Sequence, residues 1–572
     1  MSKKVEAPWL KYYGNVAHNI AYPEATMVEL VEKAAKKYPD YIAYDFMGNR
    51  TKYKEMVEKI HLCARAFRAI GIKADDRVTI CLPNVPQAVI CFYALNMIGA
   101  VANMIHPLSS EGEIEFFLKD SGSVAAITLD QFYGKFASIR KRVKINHLII
   151  SSVKDALGSV LKVGYQLREG RKIPRIPPNA NVIMWKNFLK IGENYHGKYR
   201  AKRTAKSPAV VLYSGGTTGI AKGILLSNLN FNALALQTAE MAQCCVAGHS
   251  MLAVMPIFHG FGLGICIHMV LVKGCKCILI PRFNAASYAM LLKKKRPNYI
   301  AGVPTLYEAI IRNPDMNGVD LSCLEGVFSG GDSLSVELKK KFDAFLKNHN
   351  AKVRVREGYG LTECVTASCL TPKDFEREGS IGLPFPDTYY KIVKPQTCDT
   401  MSYGEEGEIC LSGPSVMLGY VNHPEETAQT LKTHEDGRVW LHTGDLGKMD
   451  ADGFVYYRQR IKRMIVSSGY NIYPGQLENA IDEHDKVLLS CVIGVPDSYK
   501  GQKVKAFVVL CEGVEPSEKV RLELIEHCKK KIARYAMPYD IEFRNELPKT
   551  LVGKVDFKVL EEEELRKMGI SK

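Results

Sequence analysis

Residues 78–128 read VTICLPNVPQAVICFYALNMIGAVANMIHPLSSEGEIEFFLKDSGSVAAIT. Three short apolar runs, VTICL, VANMI and VAAIT, alternate with two longer segments of helical character, QAVICFYALNMIGA and SEGEIEFFLKDSG. Strands that alternate with helices form parallel sheets, because each helix returns the chain to the same end of the sheet. The N-terminal part of the chain is therefore predicted to be α/β.

The α/β pattern continues on both sides of this segment. Thr26 and Glu29 have the spacing of a capping box, which predicts that a helix begins at TMVELVEKAAKKYP. The alternation of strand-like and helix-like segments resumes after Pro208 and continues to about Thr366. This second stretch predicts a second α/β subdomain.

The pattern changes twice toward the C-terminus. Glycines and short β-rich runs dominate residues 379–460, and a mixed α+β pattern with its own apolar runs covers residues 461–572. We expect an α/β fold with a large N-terminal domain, residues 1–460, made of two α/β subdomains plus a small β subdomain. A smaller α+β C-terminal domain, residues 461–572, completes it.

Composition excludes several classes of protein. The sequence has 572 residues, of which 47% are hydrophobic and 24% charged, as in folded globular proteins of more than one domain. Its apolar stretches fall short of the roughly 18 residues that a membrane-spanning helix needs. The first residues lack a signal-peptide pattern, so we expect a cytoplasmic protein. Sixteen cysteines without disulfide or zinc-finger spacing are expected to be free, mostly buried thiols.

The net charge of +16 has two explanations. Lysines cluster at residues 293–295, 339–341 and 529–531, which is compatible with nucleic-acid binding. No helix-turn-helix, zinc-finger or RNP pattern accompanies these clusters, and they lie beside helical periodicity. We interpret them as solvated helix faces and expect no nucleic-acid partner, although the positive field can attract nucleotides and acidic lipid surfaces.

Residues 151–197 interrupt the α/β rhythm. Val153, Leu157, Val160 and Leu161 are spaced along one side of a segment that also carries lysines and arginines. One interpretation is a weakly amphipathic helix that contacts a membrane surface. The other, which we favour, is a surface helix and loop that cover the sheet.

The segment SGGTTGIAKG, residues 214–223, has the composition of a phosphate-binding loop. It departs from the Walker pattern because Ala221 replaces the second glycine and Gly223 replaces the hydroxyl residue. Its glycines and threonines can still present backbone N–H groups and hydroxyls to the β- and γ-phosphates of ATP. A flexible turn is the alternative for this loop alone.

Eight segments in a fixed order identify a resemblance. They are YSGGTTGIAKG (213–223), PIFHGFG (256–262), GYGLTE (358–363), GSIGLP (379–384), MLGYVNHPEETAQT (417–430), WLHTGD (440–445), RQRIKRMIVSSGYNIYP (458–474) and LPKTLVGKVD (547–556). From about Thr26 to Asp556 the chain resembles the adenylate-forming superfamily of acyl-CoA synthetases, luciferases and peptide-synthetase adenylation domains. The resemblance implies one active site that serves two reactions, with a mobile C-terminal domain that rotates between them.

The resemblance also implies which residues bind the nucleotide. Adenine is expected to stack on Tyr359, the ribose to bind Asp445 and Arg460, and Mg²⁺ to bind Glu363 and Thr218. Lys462 is the implied hinge, and Gly469 the residue beside the pantetheine arm of coenzyme A. The residues implied to bind ATP or coenzyme A are Ser214, Gly215, Gly216, Thr217, Thr218, Gly219, Lys222, Gly331, Tyr359, Gly360, Thr362, Asp445, Arg460, Lys462 and Gly469.

Lys554 is the implied catalytic residue for the first half-reaction. Attack of a carboxylate on the α-phosphate brings two anions together, and a lysine that reaches both stabilises the transition state. The full implied catalytic set is Lys554, Thr218, Glu363 and His259. The residues implied to line the acyl pocket are His259, Phe261, Val303, Gly330 and Gly331. Two residues depart from the family pattern, Ala221 where proline is frequent and Gln476 where glutamate is usual.

The predicted function is a magnesium-dependent acid:coenzyme A ligase that activates a medium- or long-chain fatty acid through an acyl-AMP intermediate. The alternatives are a ligase for an aryl or steroid-like acid, a luciferase, and an acyl-AMP ligase that hands its acyl group to a carrier protein. A peptide-synthetase domain is disfavoured, because no aspartate that could bind a substrate ammonium lies near PIFHGFG. Outside the enzyme class, a non-catalytic basic binding protein explains the charge but not the ordered segments.

Overall fold

The computed structural model describes residues 5–170, 173–214, 221–282, 285–468, 470–550 and 553–570. Its strands are β1 (Ile42–Phe46), β2 (Asn49–Lys52), β3 (Arg77–Cys81), β4 (Val101–Met104), β5 (Ala125–Leu129), β6 (His147–Ser151), β7 (Ile183–Met184), β8 (Pro208–Ser214), β9 (Lys222–Ser227), β10 (Ser250–Ala253), β11 (Lys276–Leu279), β12 (Tyr299–Gly302), β13 (Gly326–Ser329), β14 (Val355–Tyr359), β15 (Cys369–Leu370), β16 (Leu383–Pro384), β17 (Tyr389–Val393), β18 (Gly407–Ser412), β19 (Gly419–Tyr420), β20 (Leu431–Thr433), β21 (Val439–Met449), β22 (Val455–Arg460), β23 (Ile465–Ser467), β24 (Tyr470–Ile472), β25 (Val487–Asp497), β26 (Gly501–Leu510) and β27 (Asp540–Phe543).

The helices lie between these strands and on the faces of the sheets. They are α1 (Met27–Lys37), α2 (Tyr53–Ala69), α3 (Pro86–Ile98), α4 (Glu111–Ser121), α5 (Tyr133–Ile139), α6 (Ser159–Arg168), α7 (Trp185–Glu193), α8 (Asn228–Ala242), α9 (Val270–Val272), α10 (Ala285–Lys295), α11 (Pro304–Ile311), α12 (Val336–Asn348), α13 (Pro424–Thr430), α14 (Pro474–Asp482), α15 (Glu518–Lys529) and α16 (Phe557–Lys567). The predicted capping box at Thr26 and Glu29 is present at the start of α1.

The first large sheet contains the alternation that residues 78–128 predicted. Strands β3, β4 and β5 pair in parallel within an eight-stranded sheet of order β19-β9-β8-β4-β3-β5-β6-β7. Helix α3 connects β3 to β4, and every one of its residues is buried. A helix that is apolar on all sides has to be covered on all sides. The hydroxyl of Tyr93 in α3 lies 3.1 Å from Nδ1 of His268, which belongs to the neighbouring lobe.

The second large sheet has nine strands, in the order β16-β15-β14-β13-β12-β10-β11-β1-β2. The predicted start of the second subdomain at Pro208 differs from this arrangement in two ways. Strands β8 and β9 belong to the first sheet, because β8 pairs in parallel with β4. Strands β1 and β2 lie at the far edge of the second sheet, because β1 pairs in parallel with β11.

Two smaller sheets follow. Strands β17, β18, β20, β21 and β22 form the small β sheet that the run of short strands before Arg460 predicted. Strands β23 to β27 form the last sheet, with α14, α15 and α16. The buried core of the large lobes ends at Val455, and separate buried clusters begin at Ile465 and at Cys491.

Two properties of the whole chain bear on its environment. Among the described residues, no helix combines the length and the apolar character needed to cross a bilayer. The cysteines are free thiols and most of them are buried. Burial raises the pKa of thiols such as Cys266 and Cys364, to about 12 in both cases, which keeps them protonated and unreactive.

Candidate active site

The glycine-rich loop joins two paired strands. Ser214 at the end of β8 pairs with Lys222 at the start of β9, so the two strands that flank this segment are antiparallel neighbours. The Nζ atom of Lys222 lies 3.7 Å from a carboxylate oxygen of Glu426 and 5.2 Å above the ring of Tyr420. The predicted phosphate-binding residues Gly215, Gly216, Thr217, Thr218 and Gly219 lie outside the described residues.

Three of the predicted nucleotide-binding residues contact one another. The Tyr359 hydroxyl donates a 2.5 Å hydrogen bond to Oδ2 of Asp445, and Nε of Arg460 lies 2.9 Å from Oδ1 of the same carboxylate. Asp445 and Arg460 are directly opposite each other on β21 and β22. Asp445 is 1% exposed, and burial raises the pKa of its carboxyl group while Arg460 opposes that shift. Oδ1 is held in this ion pair and receives no aligned hydrogen bond from the described residues, so it has a lone pair left for a further donor.

Backbone geometry explains the glycine that follows Tyr359. A Cβ atom on Gly360 would lie 2.3 Å from the carbonyl oxygen of Thr366, closer than any side chain can approach. Thr362 and Glu363 begin the short 3₁₀ helix Thr362–Cys364 next to it. The Tyr420 hydroxyl donates a 2.9 Å hydrogen bond to Oε1 of Glu363. Glu363 thus offers a partly exposed carboxylate, the hard oxygen donor that Mg²⁺ prefers.

Lys554 lies against the large domain. A Cβ atom on Gly331 would be 3.6 Å from Cε of Lys554 and 3.5 Å from Cγ1 of Val303. Gly331 has a φ of +84°, a conformation that favours glycine. Burial lowers the pKa of Lys554, and among the nearby charges Asp332 and Asp445 raise it while Arg460 lowers it. The predicted residues Gly331, Val303 and Lys554 are therefore brought together.

Thr305 anchors the loop that carries Lys554, and sequence reasoning missed it. Its hydroxyl donates a 2.6 Å hydrogen bond to the carbonyl oxygen of Gly553. Within the loop, the backbone N–H of Lys554 donates to the Thr550 hydroxyl at 3.1 Å, and that of Thr550 donates to the Lys554 carbonyl at 2.7 Å. Thr305 stands only two residues after Val303, but a threonine after a proline carries no signal of such a contact.

A largely apolar cavity begins at Gly330 and Gly331. Phe261, predicted to line the acyl pocket, contributes to its wall, and a Cβ atom on Gly330 would lie 3.9 Å from the Phe261 ring. The other apolar side chains that line the cavity are Ala242, Ile265, Met269, Phe328, Ala367, Cys369, Leu370 and Phe385. Sequence reasoning missed these residues, because they come from separate elements whose only shared signal is hydrophobicity.

His259, predicted to line the acyl pocket, is not among the residues that line this cavity, although Phe261 two residues later is. Its ring is neutral. Its Nδ1 atom accepts a hydrogen bond from the backbone N–H of Phe261 at 3.2 Å. Burial and the charge of Lys554 lower the pKa of His259 to about 3. A ring with so low a pKa does not take up a proton near neutral pH, which favours an orienting role over general-base catalysis.

The segment that links the two parts of the chain is exposed at the predicted hinge. Lys462 lies in the short 3₁₀ helix Ile461–Arg463, and its side chain faces solvent. The next residue, Arg463, is anchored, since its guanidinium donates hydrogen bonds to the carboxylate of Glu478. Gly469, predicted to lie near coenzyme A, is outside the described residues.

Comparison with known proteins identifies the family of the chain. The family model described as AMP-binding enzyme matches residues 31–421, and the model described as AMP-binding enzyme C-terminal domain matches residues 476–554. The chain belongs to the AMP-binding enzyme family. The superfamily resemblance stated from the ordered segments is thereby confirmed, and the alternative of a non-catalytic basic protein is set aside.

Curated relatives of this AMP-binding enzyme match it over almost its full length. A long-chain-fatty-acid–CoA ligase of Bacillus subtilis is 34% identical over 566 residues, which cover 98% of each chain. A ligase of the same name from Haemophilus influenzae is 31% identical and covers 95% of each chain.

Solved structures support the fold. ATP-bound MatB from Rhodopseudomonas palustris has a TM-score of 0.80 at 24% identity, over 94% of this chain and 98% of that chain. The anthranilate CoA ligase AuaEII in complex with anthranoyl-AMP has a TM-score of 0.82 at 23% identity, over 98% and 100% of the two chains.

Proposed function

We propose that this AMP-binding enzyme joins a medium- or long-chain fatty acid to coenzyme A at the expense of ATP. In the first half-reaction a carboxylate oxygen attacks the α-phosphorus of ATP, the bond to the bridging oxygen of pyrophosphate breaks, and acyl-AMP forms. In the second, the coenzyme A thiolate attacks the acyl carbon, the bond to the AMP oxygen breaks, and the thioester and AMP leave. The names of the curated relatives support this substrate class.

The position of Lys554 carries the proposal. Its ammonium group lies beside Gly331, a residue that lines the apolar cavity, and within electrostatic reach of Asp445 and Arg460. The cavity has a volume of about 40 Å³, so an acyl chain would enter it only if the lining side chains move. The carboxylate of such a chain would then meet the α-phosphate next to this cation. Lys554 is assigned to stabilise the charge that builds on the two oxyanions in the transition state. His259 is assigned to orient the carboxylate.

The nucleotide is assigned to the opposite wall of the site. Oδ1 of Asp445, which is ion-paired with Arg460 but has a lone pair left, can accept from a ribose hydroxyl. Arg460 can donate to the ribose, and the ring of Tyr359 offers a face to adenine. We assign the phosphates to the loop from Ser214 to Lys222. Glu363, together with Thr218, is the proposed ligand set for Mg²⁺, which when bound supplies positive charge to the phosphates.

We place the domain boundary between residues 460 and 461, where the buried clusters separate. Lys462 is proposed as the hinge, because it is exposed between Arg460 in the large domain and the anchored Arg463. In a second arrangement Lys554 would withdraw and Gly469 would approach coenzyme A. Fixing φ at the hinge with Lys462→Pro should impair the interchange. Normal rates for both half-reactions in that variant would exclude this hinge.

Helix α6 supports a weak peripheral contact with an anionic membrane surface. None of its residues is buried, and its exposed apolar side chains include Val160 at 86%, Val163 at 62% and Leu167 at 56%. Lys162 and Arg168 stand among them. An exposed helix that carries both apolar and basic side chains can lie at the boundary between lipid headgroups and acyl chains. We propose that the enzyme acts in the cytoplasm and takes up its hydrophobic substrate, the fatty acid, from such a membrane surface.

The aromatic lining of the cavity favours one second candidate, an aryl acid, because Phe261, Phe328 and Phe385 could stack on a ring. A panel of fatty acids of graded length and of aryl acids, with coenzyme A and release of AMP as the readout, separates the two. Carboxylate-dependent ATP–pyrophosphate exchange with and without Lys554→Ala tests the chemistry, and we expect a loss of roughly 10²- to 10³-fold. Reaction with short acids alone would exclude the fatty-acid proposal.

A further inference from the structure

A cysteine and two histidines converge at the small β sheet, outside the site described above. The sulfur of Cys398 and one ring nitrogen each of His434 and His442 lie within 4.8 Å of one another. Cys398 lies in the turn between β17 and β18, which the hydrogen bond from the Lys394 N–H to the Asp399 carbonyl closes at 2.9 Å. His434 follows β20, and His442 lies within β21. Three separate parts of the chain thus supply the cluster.

The histidines are held by a chain of contacts. Nδ1 of His442 lies 3.0 Å from Oε2 of Glu408, so this nitrogen donates to the carboxylate. The other nitrogen, Nε2, lies 2.9 Å from Nε2 of His434. Glu408 in turn accepts a 2.9 Å hydrogen bond from the backbone N–H of Gly444. The position and tautomer of His442 are therefore fixed, with Nε2 directed at the cluster.

One ring nitrogen of this cluster has no hydrogen bond. His434 is 6% exposed, and its buried Nδ1 atom has no hydrogen-bond partner among the described residues. A buried polar atom without a partner costs free energy. His434 therefore has a buried nitrogen that the described protein atoms do not satisfy, and Cys398 in the same cluster is exposed to solvent.

We propose that Cys398, His434 and His442 form a binding site for a soft divalent cation such as Zn²⁺, with solvent in the fourth position. Thiolate and imidazole are the ligands that Zn²⁺ prefers, and a carboxylate on the far nitrogen of a ligating histidine is a recurrent partner in such sites. Glu408 is that partner for His442. Tetrahedral bonds of about 2.0 Å to nitrogen and 2.3 Å to sulfur place ligands roughly 3.4 to 3.6 Å apart, which small side-chain rotations reach here.

The site lies directly behind the proposed ribose-binding turn. His442 is three residues before Asp445, and Glu408 binds both His442 and the N–H of Gly444. The Thr443 hydroxyl, which accepts from the N–H of Asp445 at 3.1 Å, donates to the carbonyl of Ile409 at 2.7 Å. This inference does not depend on the proposed function, because the cluster is defined by its own contacts.

Cobalt(II) titration of the full chain tests the proposal. Co²⁺ takes the place of Zn²⁺ in such sites and reports a thiolate ligand by a charge-transfer absorption band. We expect one equivalent of Co²⁺ with this band, loss of the band in Cys398→Ser, and loss of binding in His434→Asn. Zn²⁺ should displace the Co²⁺. Cys323→Ser, which changes a partly exposed cysteine outside the cluster, is the matched control and should keep the band.

Two results would overturn the site. One is the absence of stoichiometric Co²⁺ binding by the wild-type chain after treatment with a chelator and reductant. The other is a thiolate band that persists in Cys398→Ser, which would place the cation on a different cysteine. Far-ultraviolet circular dichroism and thermal unfolding of each variant establish that it is folded, so that loss of binding reports the ligand and not the fold.

Discussion

A 2.6 Å hydrogen bond joins Thr305 to Gly553, from a side-chain hydroxyl in the large domain to a backbone carbonyl in the C-terminal loop. Gly553 immediately precedes Lys554, so this bond fixes the loop at the point where the cation enters the site. The large domain therefore holds the proposed catalytic lysine through a residue to which we assign no part in binding ATP or acid.

Thr305→Val should weaken adenylation selectively. The variant keeps the shape of the side chain but loses a hydrogen bond worth about 0.5 to 1.5 kcal/mol, so pyrophosphate exchange should fall roughly 2- to 10-fold. Thioester formation from supplied acyl-AMP should not change, since Lys554 would be withdrawn in the arrangement proposed for that half-reaction. Thr305→Ser keeps the hydroxyl and is the control. An equal loss in both half-reactions would contradict a role in docking.

The rate of adenylation should decline at alkaline pH because of Lys554. Burial lowers the pKa of this lysine, so the ammonium loses its proton at a lower pH than a free lysine does. The reaction needs the charged form, and the rate should therefore fall as pH rises through the lowered pKa. In Lys554→Arg the guanidinium stays protonated, and the alkaline limb should move to higher pH even if the maximal rate is reduced. An unchanged limb would assign it to another group.

The substitution Ala242→Leu should shift the preference of the enzyme toward fatty acids with shorter chains. Ala242 is 1% exposed and lines the apolar cavity, so three added carbons occupy space that the end of a long chain would use. We expect kcat/KM to fall roughly tenfold for a sixteen-carbon acid and to change little for an eight-carbon acid. The short acid serves as the internal control for folding. Equal losses for both acids would indicate general disruption.

The free energy of unfolding should decrease as pH rises, because Glu357 is buried and holds its proton in the folded protein. Burial raises the pKa of its carboxyl group to about 8 from an ordinary value of 4.5, and its Oε1 atom accepts from the Leu334 N–H at 3.2 Å. Between these two values the unfolded chain binds fewer protons than the folded one, so the free energy of unfolding decreases as pH increases.

Glu357→Gln removes this dependence and keeps an oxygen acceptor. The variant should be more stable than wild type at pH 9 by roughly 2 to 4 kcal/mol, with no difference near pH 4. Urea unfolding across this range measures it. Glu512→Gln changes an exposed carboxyl group and serves as the control. A difference that does not vary with pH would mean that Glu357 is ionised in the folded protein.

Membrane contact should depend on the apolar side chains of α6. A triple variant, Val160→Ser, Val163→Ser and Leu167→Ser, should co-sediment less with phosphatidylglycerol vesicles, because it exposes less apolar surface to the lipid. Leu522→Ser, at a residue of α15 that is 55% exposed, removes a comparable side chain elsewhere. Binding of the wild type to phosphatidylcholine vesicles should be weaker. Equal sedimentation of the triple variant and wild type would exclude α6.

The sequence predicted the elements that depend on residues close together in the chain. The capping box at Thr26 and the strand–helix alternation over residues 78–128 are confirmed, since short-range periodicity and capping determine them. The distribution of strands between the sheets was not predictable in this way. Strand β1 pairs with β11, more than 200 residues later, and no local pattern encodes that partner.

The candidate site shows the same difference between residues that sequence patterns identify and residues that only the fold reveals. The ordered segments predicted three nucleotide-binding residues, Tyr359, Asp445 and Arg460. In the structure both Tyr359 and Arg460 contact the carboxylate of Asp445. Thr305 and the cavity wall at Ala242 were not named, because an anchoring hydroxyl and a buried alanine look like any others in sequence. Their roles become visible only when the C-terminal loop and α8 are placed against the second sheet.

The edge position of β1 and β2 limits how the chain can be divided. A fragment that begins at Pro208 would contain β10 to β16 but would leave β11 with an open row of backbone donors and acceptors. Such an edge invites pairing with a second molecule. During synthesis β1 and β2 emerge from the ribosome long before β11. They cannot pair with the second sheet until β11 has been synthesised, and the edge of that sheet forms only then.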